Sequence, residues 1–130
     1  MLTWLCSGII GYVNYLVEKK RSDIIKVLID GNPRLCPAGA DVSGLQRLEY
    51  RGYDSAGMAV DGDSENEIYL FKQVGKVAAL KKLIAEQHVD MNRKFMAHAG
   101  ISHTRWATHG QPTPLNCHPH RFILLLHELT

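Results

Sequence analysis

The sequence predicts an α+β fold, because strand-like and helix-like patterns both occur along one short chain. Three short apolar runs, at residues 8–15, 55–60 and 68–73, predict strands, and the turn sequence Asp61-Gly-Asp-Ser64 separates the last two. Two further segments have apolar residues at helical spacing and predict helices. Since 45% of the 130 residues are hydrophobic, the chain can form the core of one domain.

Each predicted helix has its own boundary signals. Ser22 is the predicted N-cap of the first helix, and Gly31-Asn-Pro33 ends it. The second helix is predicted over residues 77–87. The two apolar faces consist of Ile24, Ile25, Leu28 and Ile29 in the first helix and Val77, Leu80, Leu83 and Ile84 in the second. The basic run Lys19-Lys20-Arg21 is interpreted as a solvated approach to the first helix.

An atypical insertion is predicted at about residues 31–43. Proline and glycine punctuate this segment, and its apolar residues have no period. Without it, Leu45 and Leu48 fall in register with the apolar face of the first helix. We therefore expect the insertion to split one helix, at a loop-closure cost that grows only slowly with loop length.

The run from Gly100 to Gly110, Gly-Ile-Ser-His-Thr-Arg-Trp-Ala-Thr-His-Gly, contains the strongest functional signal. Its polar, turn-rich composition predicts a ligand-binding loop rather than core. The guanidinium of Arg105 offers paired planar donors that match a carboxylate, and the indole of Trp106 can exclude water. Thr108 and His109 add hydrogen-bonding groups. These residue types predict a small ligand that carries a carboxylate.

Two unbroken strings point to a known family. They are Tyr-Arg-Gly-Tyr-Asp-Ser-Ala-Gly at residues 50–57 and His-Thr-Arg-Trp-Ala-Thr-His-Gly at residues 103–110. Both resemble the class-II glutamine amidotransferases, specifically the glutaminase domain of glutamine:fructose-6-phosphate aminotransferase. The resemblance implies an N-terminal-nucleophile αββα sandwich, here incomplete at its C-terminus. It covers residues 6–121 as a partial domain and leaves residues 122–130 as a divergent tail.

The resemblance also implies a reaction and its residues. The family hydrolyses the side-chain amide of L-glutamine to glutamate and ammonia, which serves hexosamine synthesis, and no cofactor is implied. Transferred onto matching positions, the catalytic residues are Cys6 or Ser7 as nucleophile and Arg51 near the catalytic terminus. In the implied glutamine site, Arg105 holds the carboxylate, Trp106 gates the pocket, and Thr108 and His109 line it.

The chain departs from the family at the nucleophile. Family members begin with a cysteine whose free α-amine activates its own thiol, whereas here Met1 to Leu5 precede Cys6. A gapless match through Gly8 places Ser7 at the nucleophile, and a one-residue gap restores Cys6. No asparagine is followed by glycine, although the family uses an Asn-Gly pair as its oxyanion hole.

These departures leave two interpretations open. The chain is a glutaminase portion that needs processing to free an α-amine, or it is an inactive fragment or non-enzymatic partner of an intact synthase subunit. The sugar-phosphate isomerase domains that use the ammonia in the family have no counterpart in this sequence.

Composition and spacing favour no further partner class. The net charge of +2 does not predict nucleic-acid binding, and the apolar run 122–126 is too short to cross a bilayer. Five histidines lie between residues 98 and 120, but their spacing fits no common zinc pattern, so no metal site is predicted. Three cysteines without regular spacing favour a reducing compartment, and we expect the cytoplasm.

Overall fold

The computed structural model describes residues 8–31, 44–45 and 53–121. In these residues a four-stranded antiparallel sheet carries two helices, so the α+β prediction is confirmed. The elements, in chain order, are β1 (Gly8–Lys20), α1 (Arg21–Asp30), β2 (Ser55–Asp61), β3 (Ile68–Val74), α2 (Val77–Glu86) and β4 (Lys94–Arg105). The strands lie in the order β1-β4-β2-β3, so β4, the last of the described strands along the chain, lies inside the sheet.

The two helices and the core lie on one face of the sheet. Along each strand alternate side chains point to opposite faces, so only every second residue reaches the helices. Tyr12 of β1, Met58 of β2 and Phe71 of β3 all belong to the same cluster as Leu28 of α1 and Leu80 of α2. Both predicted apolar helix faces are confirmed, with Leu83 only partly buried.

β4 is an element that the sequence did not predict. Residues 100–105 were expected to form a loop, but they are the end of a strand that pairs with both β1 and β2. Ser102 is tolerated in the core because its hydroxyl donates to the carbonyl of Leu28 at 3.1 Å. Gly100 allows close packing, since a Cβ there would lie 2.9 Å from Leu28 Cδ1. The loop prediction holds only after Arg105.

The start of α1 also differs from its prediction. The helix begins at Arg21, and its N-cap residue, Lys20, makes no side-chain hydrogen bond to the helix. The backbone N–H groups of Arg21 and Ser22 instead donate to the carbonyls of Arg93 and Met91, at 2.9 and 3.0 Å. Ser22 is therefore not the N-cap, because the loop before β4 satisfies these helix donors.

The basic run before α1 is not uniformly solvated, since Arg21 is fully buried. One guanidinium nitrogen of Arg21 lies 2.7 Å from Oδ1 of Asp63, and the other donates to the carbonyl of Asp90 at 2.8 Å. The group also lies 4.9 Å from the ring centre of Tyr69 and 5.0 Å from that of Phe95. Arg21 thus joins α1 to β3, β4 and the β2–β3 turn.

The ends of the predicted insertion lie against each other. Gly44 is buried against the backbone of residues 29–31, with no space for a Cβ, and Leu45 is fully buried in the core cluster. Because the two ends of this loop adjoin, Leu45 packs in the same core cluster as the apolar face of α1. Leu48 and residues 32–43 lie outside the described residues, so the insertion, the 6–121 boundary and the 122–130 tail stay predictions.

We expect Arg21→Ala to lower the free energy of unfolding by about 3 kcal/mol, because it removes a fully buried side chain with its hydrogen bonds to Asp63 and Asp90 and its ring contacts. Urea denaturation of the purified chain measures this change. Lys20→Ala is the matched control, since Lys20 is the exposed neighbour, and its effect should stay within about 0.5 kcal/mol. Equal losses in the two variants would contradict the buried role of Arg21.

Candidate functional site

Arg105 is the last residue of β4 and begins the candidate site. One nitrogen of its guanidinium, Nη2, donates to the carbonyl of His109 at 2.5 Å and so fixes the side chain against its own loop. The other, Nη1, is buried and has no hydrogen-bond partner among the described residues. A buried, unpaired donor on a positive group favours an anionic ligand that supplies the missing acceptor.

Asp54 holds the loop that follows Arg105. Its carboxylate accepts a hydrogen bond from the backbone N–H of Ala107, and its own backbone N–H donates to the carbonyl of Arg105 at 3.0 Å. The hydroxyl of Ser55 also donates to this carboxylate, at 3.0 Å. Asp54 therefore fixes the chain on both sides of Trp106, a positioning role that the sequence analysis did not assign.

Tyr53 and Asp54 connect the site to α2. The backbone N–H of Val77, the first residue of α2, donates to the hydroxyl of Tyr53 at 2.5 Å. The N–H of Gly75 donates to the carbonyl of Asp54 at 2.7 Å. Gly75 has φ +98, which lets the chain turn from β3 into the helix. Tyr53 and Asp54, which belong to the sequence string at residues 50–57, therefore hold β2 and α2 together through hydrogen bonds.

The four residues predicted to bind substrate lie on one short segment. Trp106 is partly buried, whereas Thr108 and His109 are exposed. Nδ1 of His109 lies 3.3 Å from the hydroxyl of Thr108, so the two polar side chains are neighbours. Gly110, at φ +76, follows them and reverses the chain. The structure therefore places Arg105, Thr108 and His109 close together along the chain, and the hydrogen bond from Arg105 to the His109 carbonyl joins the two ends of the segment.

The catalytic residues predicted near the N-terminus, Cys6, Ser7 and Arg51, lie outside the described residues. The described residues begin at Gly8, directly after Ser7, and Gly8 pairs with Thr104 in the ladder between β1 and β4. The N–H of Gly8 also donates to the hydroxyl of Thr104 at 3.3 Å. The start of β1 therefore adjoins the residue before Arg105.

Three histidine rings pack edge to face beside the site. His103 of β4 contacts His118, and His118 contacts His120, each with ring centres 4.6 Å apart and nearly perpendicular planes. Burial, helped by the charges of His118 and Arg105, lowers the pKa of His103 to about 4. Burial likewise lowers the pKa of His118, and His120 acts in the same direction. The rings of His103 and His118 are therefore uncharged at neutral pH and pack against each other without charge repulsion.

These three rings hold residues 113–120 against the sheet face opposite the two helices. Gly57 packs directly against the carbonyl of His118, where a Cβ would clash, and Nζ of Lys72 donates to the carbonyl of Leu115 at 3.0 Å. Cys117 is buried beneath this segment, with Sγ 3.0 Å from the carbonyl of Thr113. Within residues 8–31, 44–45 and 53–121, no group of three or more His, Cys, Asp or Glu side chains is placed to hold a metal ion.

Comparison with known proteins gives closely similar sequences, although no protein-family model matches. Glutamine–fructose-6-phosphate aminotransferase of Saccharomyces cerevisiae is 52% identical over 114 residues, or 88% of this chain. The second mouse enzyme of that name is 47% identical over 119 residues, again 88% of this chain. The chain belongs to the glutamine–fructose-6-phosphate aminotransferase family. It spans 14% of the yeast relative and 16% of the mouse relative, so it corresponds to a small part of either protein.

A shorter relative also exists. A putative glutamine–fructose-6-phosphate aminotransferase from Saccharomyces cerevisiae is 43% identical over 113 residues, and the chain spans 38% of it. The family assignment confirms the resemblance drawn from the two sequence strings. In the part of the chain that the structure describes, no helix is long and apolar enough to cross a membrane.

We expect acid to destabilise the fold between about pH 6.5 and pH 4, because burial lowers the pKa of His103 from about 6.5 in the unfolded chain to about 4 in the folded chain. In this window the unfolded chain binds the proton and the folded chain does not, so the free energy of unfolding falls as pH falls. The limit for this single group is about 3 kcal/mol. Urea denaturation at several pH values measures the slope.

His103→Gln should reduce that slope, because this side chain no longer titrates, whereas His98 and His118, whose pKa values burial also lowers, still contribute. His88→Gln is the matched control, since His88 is exposed in the loop after α2 and should leave the slope unchanged. A slope that survives His103→Gln intact would show that other groups set the acid sensitivity.

Proposed function

We propose that this chain forms the glutamine-binding part of a class-II glutamine amidotransferase site. The observation that carries the proposal is the guanidinium of Arg105, with Nη2 bound to the His109 carbonyl and Nη1 buried without a partner among the described residues. The α-carboxylate of L-glutamine supplies the acceptor that this donor lacks. Family membership supports glutamine as the ligand, because the relatives are named for it.

The remaining proposed roles follow the same geometry. Trp106, fixed on both sides by Asp54, covers the ligand and excludes water, which strengthens the ion pair with Arg105. Thr108 and His109 bind the polar end of glutamine from the adjoining loop. The fold that we propose for the complete domain is the N-terminal-nucleophile αββα sandwich, of which the described sheet and helices form one sheet layer and one helix layer.

The proposed reaction is hydrolysis of the glutamine amide to glutamate and ammonia through a thioester or ester. The nucleophile is Cys6 or Ser7, whose free α-amine takes the proton from its own thiol or hydroxyl, and Arg51 lies near this terminus. The pairing of Gly8 with Thr104 supports this placement, since it joins the chain after Ser7 to the strand that ends in Arg105. Ammonia then serves hexosamine synthesis in the cytosol.

A second candidate function is glutamine binding without turnover. Met1 to Leu5 precede Cys6 in this sequence, so the amine of Cys6 lies in a peptide bond unless these residues are removed. Under this proposal the chain acts as a non-enzymatic partner of an intact synthase subunit. Both candidates share the Arg105 site and differ only in the bond-breaking step, so one experiment with two readouts separates them.

We expect Arg105→Gln to weaken L-glutamine binding at least tenfold, about 1.4 kcal/mol, because the carboxylate loses its charged partner. Isothermal titration calorimetry of the full chain measures the affinity. Arg121→Gln is the matched control, since Arg121 is exposed at the far end of the 113–121 segment and should bind as the unchanged chain does. Circular dichroism of each variant verifies that it is folded.

An ammonia assay on the same samples separates the two candidates. Release of ammonia from glutamine supports hydrolysis, whereas binding without release supports the non-enzymatic partner. Equal glutamine affinity in Arg105→Gln and the unchanged chain would contradict both, because both depend on the same guanidinium.

A further inference from the structure

The loop after β4 makes a tight turn at Gly110, and a side chain holds the carbonyl on each side of this turn. The Arg105 guanidinium donates to the carbonyl of His109 at 2.5 Å, just before the turn. The side-chain amide of Asn116 donates through Nδ2 to the carbonyl of Gln111 at 3.2 Å, just after it. Gly110 itself has φ +76, a conformation that favours glycine. The turn is therefore fixed from both sides.

The two donors lie close to each other beside Gly110. A Cβ at this position would lie 3.5 Å from Nδ2 of Asn116 and 3.8 Å from Nη2 of Arg105. Both nitrogens therefore adjoin the same small space, which the lack of a side chain leaves open. The amide of Asn116 is uncharged, so it neither repels the guanidinium nor neutralises it. Asn116 therefore leaves the positive charge of Arg105 to pair with a ligand.

Asn116 is itself anchored, because the residues on either side of it are held. The carbonyl of Leu115 accepts from Nζ of Lys72, on β3, at 3.0 Å, and Cys117 is fully buried. The backbone N–H of Asn116 donates to the carbonyl of Thr113 at 3.0 Å. A side chain on an anchored backbone loses less conformational entropy when it makes a hydrogen bond. The amide of Asn116 can therefore tie the turn to the sheet.

We propose that Asn116 is a positioning residue for the Arg105 site, an inference that rests on the glutamine-binding function proposed above. Its amide fixes the carbonyl of Gln111 and thereby the turn at Gly110. The turn sets the position of the His109 carbonyl, which the guanidinium of Arg105 binds. Asn116 acts on the ligand through Arg105, because a guanidinium that is already held loses less conformational entropy when the ligand binds.

Nuclear magnetic resonance of the free, isotope-labelled chain tests this role without any ligand. In the unchanged chain, the side-chain amide protons of Asn116 should show nuclear Overhauser contacts with the Hα protons of Gly110, since the two groups lie side by side. Absence of these contacts would overturn the proposal. This readout uses no variant, so a misfolded variant cannot hide it.

Asn116→Ala should release the turn and so loosen the side chain of Arg105. Nitrogen-15 relaxation should show a less ordered Nε–H group of Arg105, with the backbone of β4 as ordered as before. A residue that only stabilised the fold would alter the free energy of unfolding and leave Arg105 in the folded chain unchanged. Asn92→Ala is the matched control, since Asn92 is exposed before β4, whereas Arg105 ends that strand. Equal order of Arg105 in the two variants would overturn the proposal.

Calorimetric titration of the same samples with L-glutamine separates this role from the proposed function. Asn116→Ala should weaken binding about fivefold, the contribution of one hydrogen bond, and Asn92→Ala by less than about twofold. If Asn116→Ala binds as tightly as the unchanged chain, the positioning role is wrong and glutamine binding stands. If the unchanged chain does not bind glutamine, the proposed function is wrong, and the order of the Arg105 side chain still decides the role of Asn116.

Discussion

The pairing of β4 with two strands at once is the constraint on which the rest of this structure depends. β4 lies between β1 and β2, so its residues cannot leave the sheet without breaking both ladders. Its alternation places Ser102 against the core and His103 on the opposite face. Arg105 ends the strand with its direction already fixed. Backbone pairing therefore holds Arg105, whereas Trp106, Thr108 and His109 follow it in the loop.

Polar residues next to the ends of the sheet convert this scaffold into a site. The Asp54 carboxylate fixes Ala107, and Tyr53 accepts from the first N–H of α2, so the turn after β4 is tied both to β2 and to a helix. These contacts order the loop before any ligand binds, so ligand binding does not have to supply the free energy for that loss of conformational entropy. The hydrogen bond from Arg105 to the carbonyl of His109 fixes the guanidinium in the same way, so the proposed carboxylate site is preorganised.

The sequence predicted the elements that have a clear apolar face, but it did not predict β4 or the burial of polar side chains. Hydrophobic periodicity located β2, β3 and both helices, because burial of one face sets those patterns. It missed β4 and the burial of Arg21, since both depend on partners distant in sequence, such as Leu28 for Ser102 and Asp63 for Arg21. The same limit applies to Asp54: its motif was recognised, but only the fold brings its carboxylate to Ala107.

The most direct test of the account is an NMR titration of the nitrogen-15-labelled chain with L-glutamine and, separately, with L-glutaminamide, whose carboxylate is blocked as an amide. If the Arg105 guanidinium holds the ligand carboxylate, glutamine should shift the Arg105 side-chain signals and the Ala107 amide, and glutaminamide should not. Equal shifts with both ligands, or none with glutamine, would contradict a carboxylate site at Arg105.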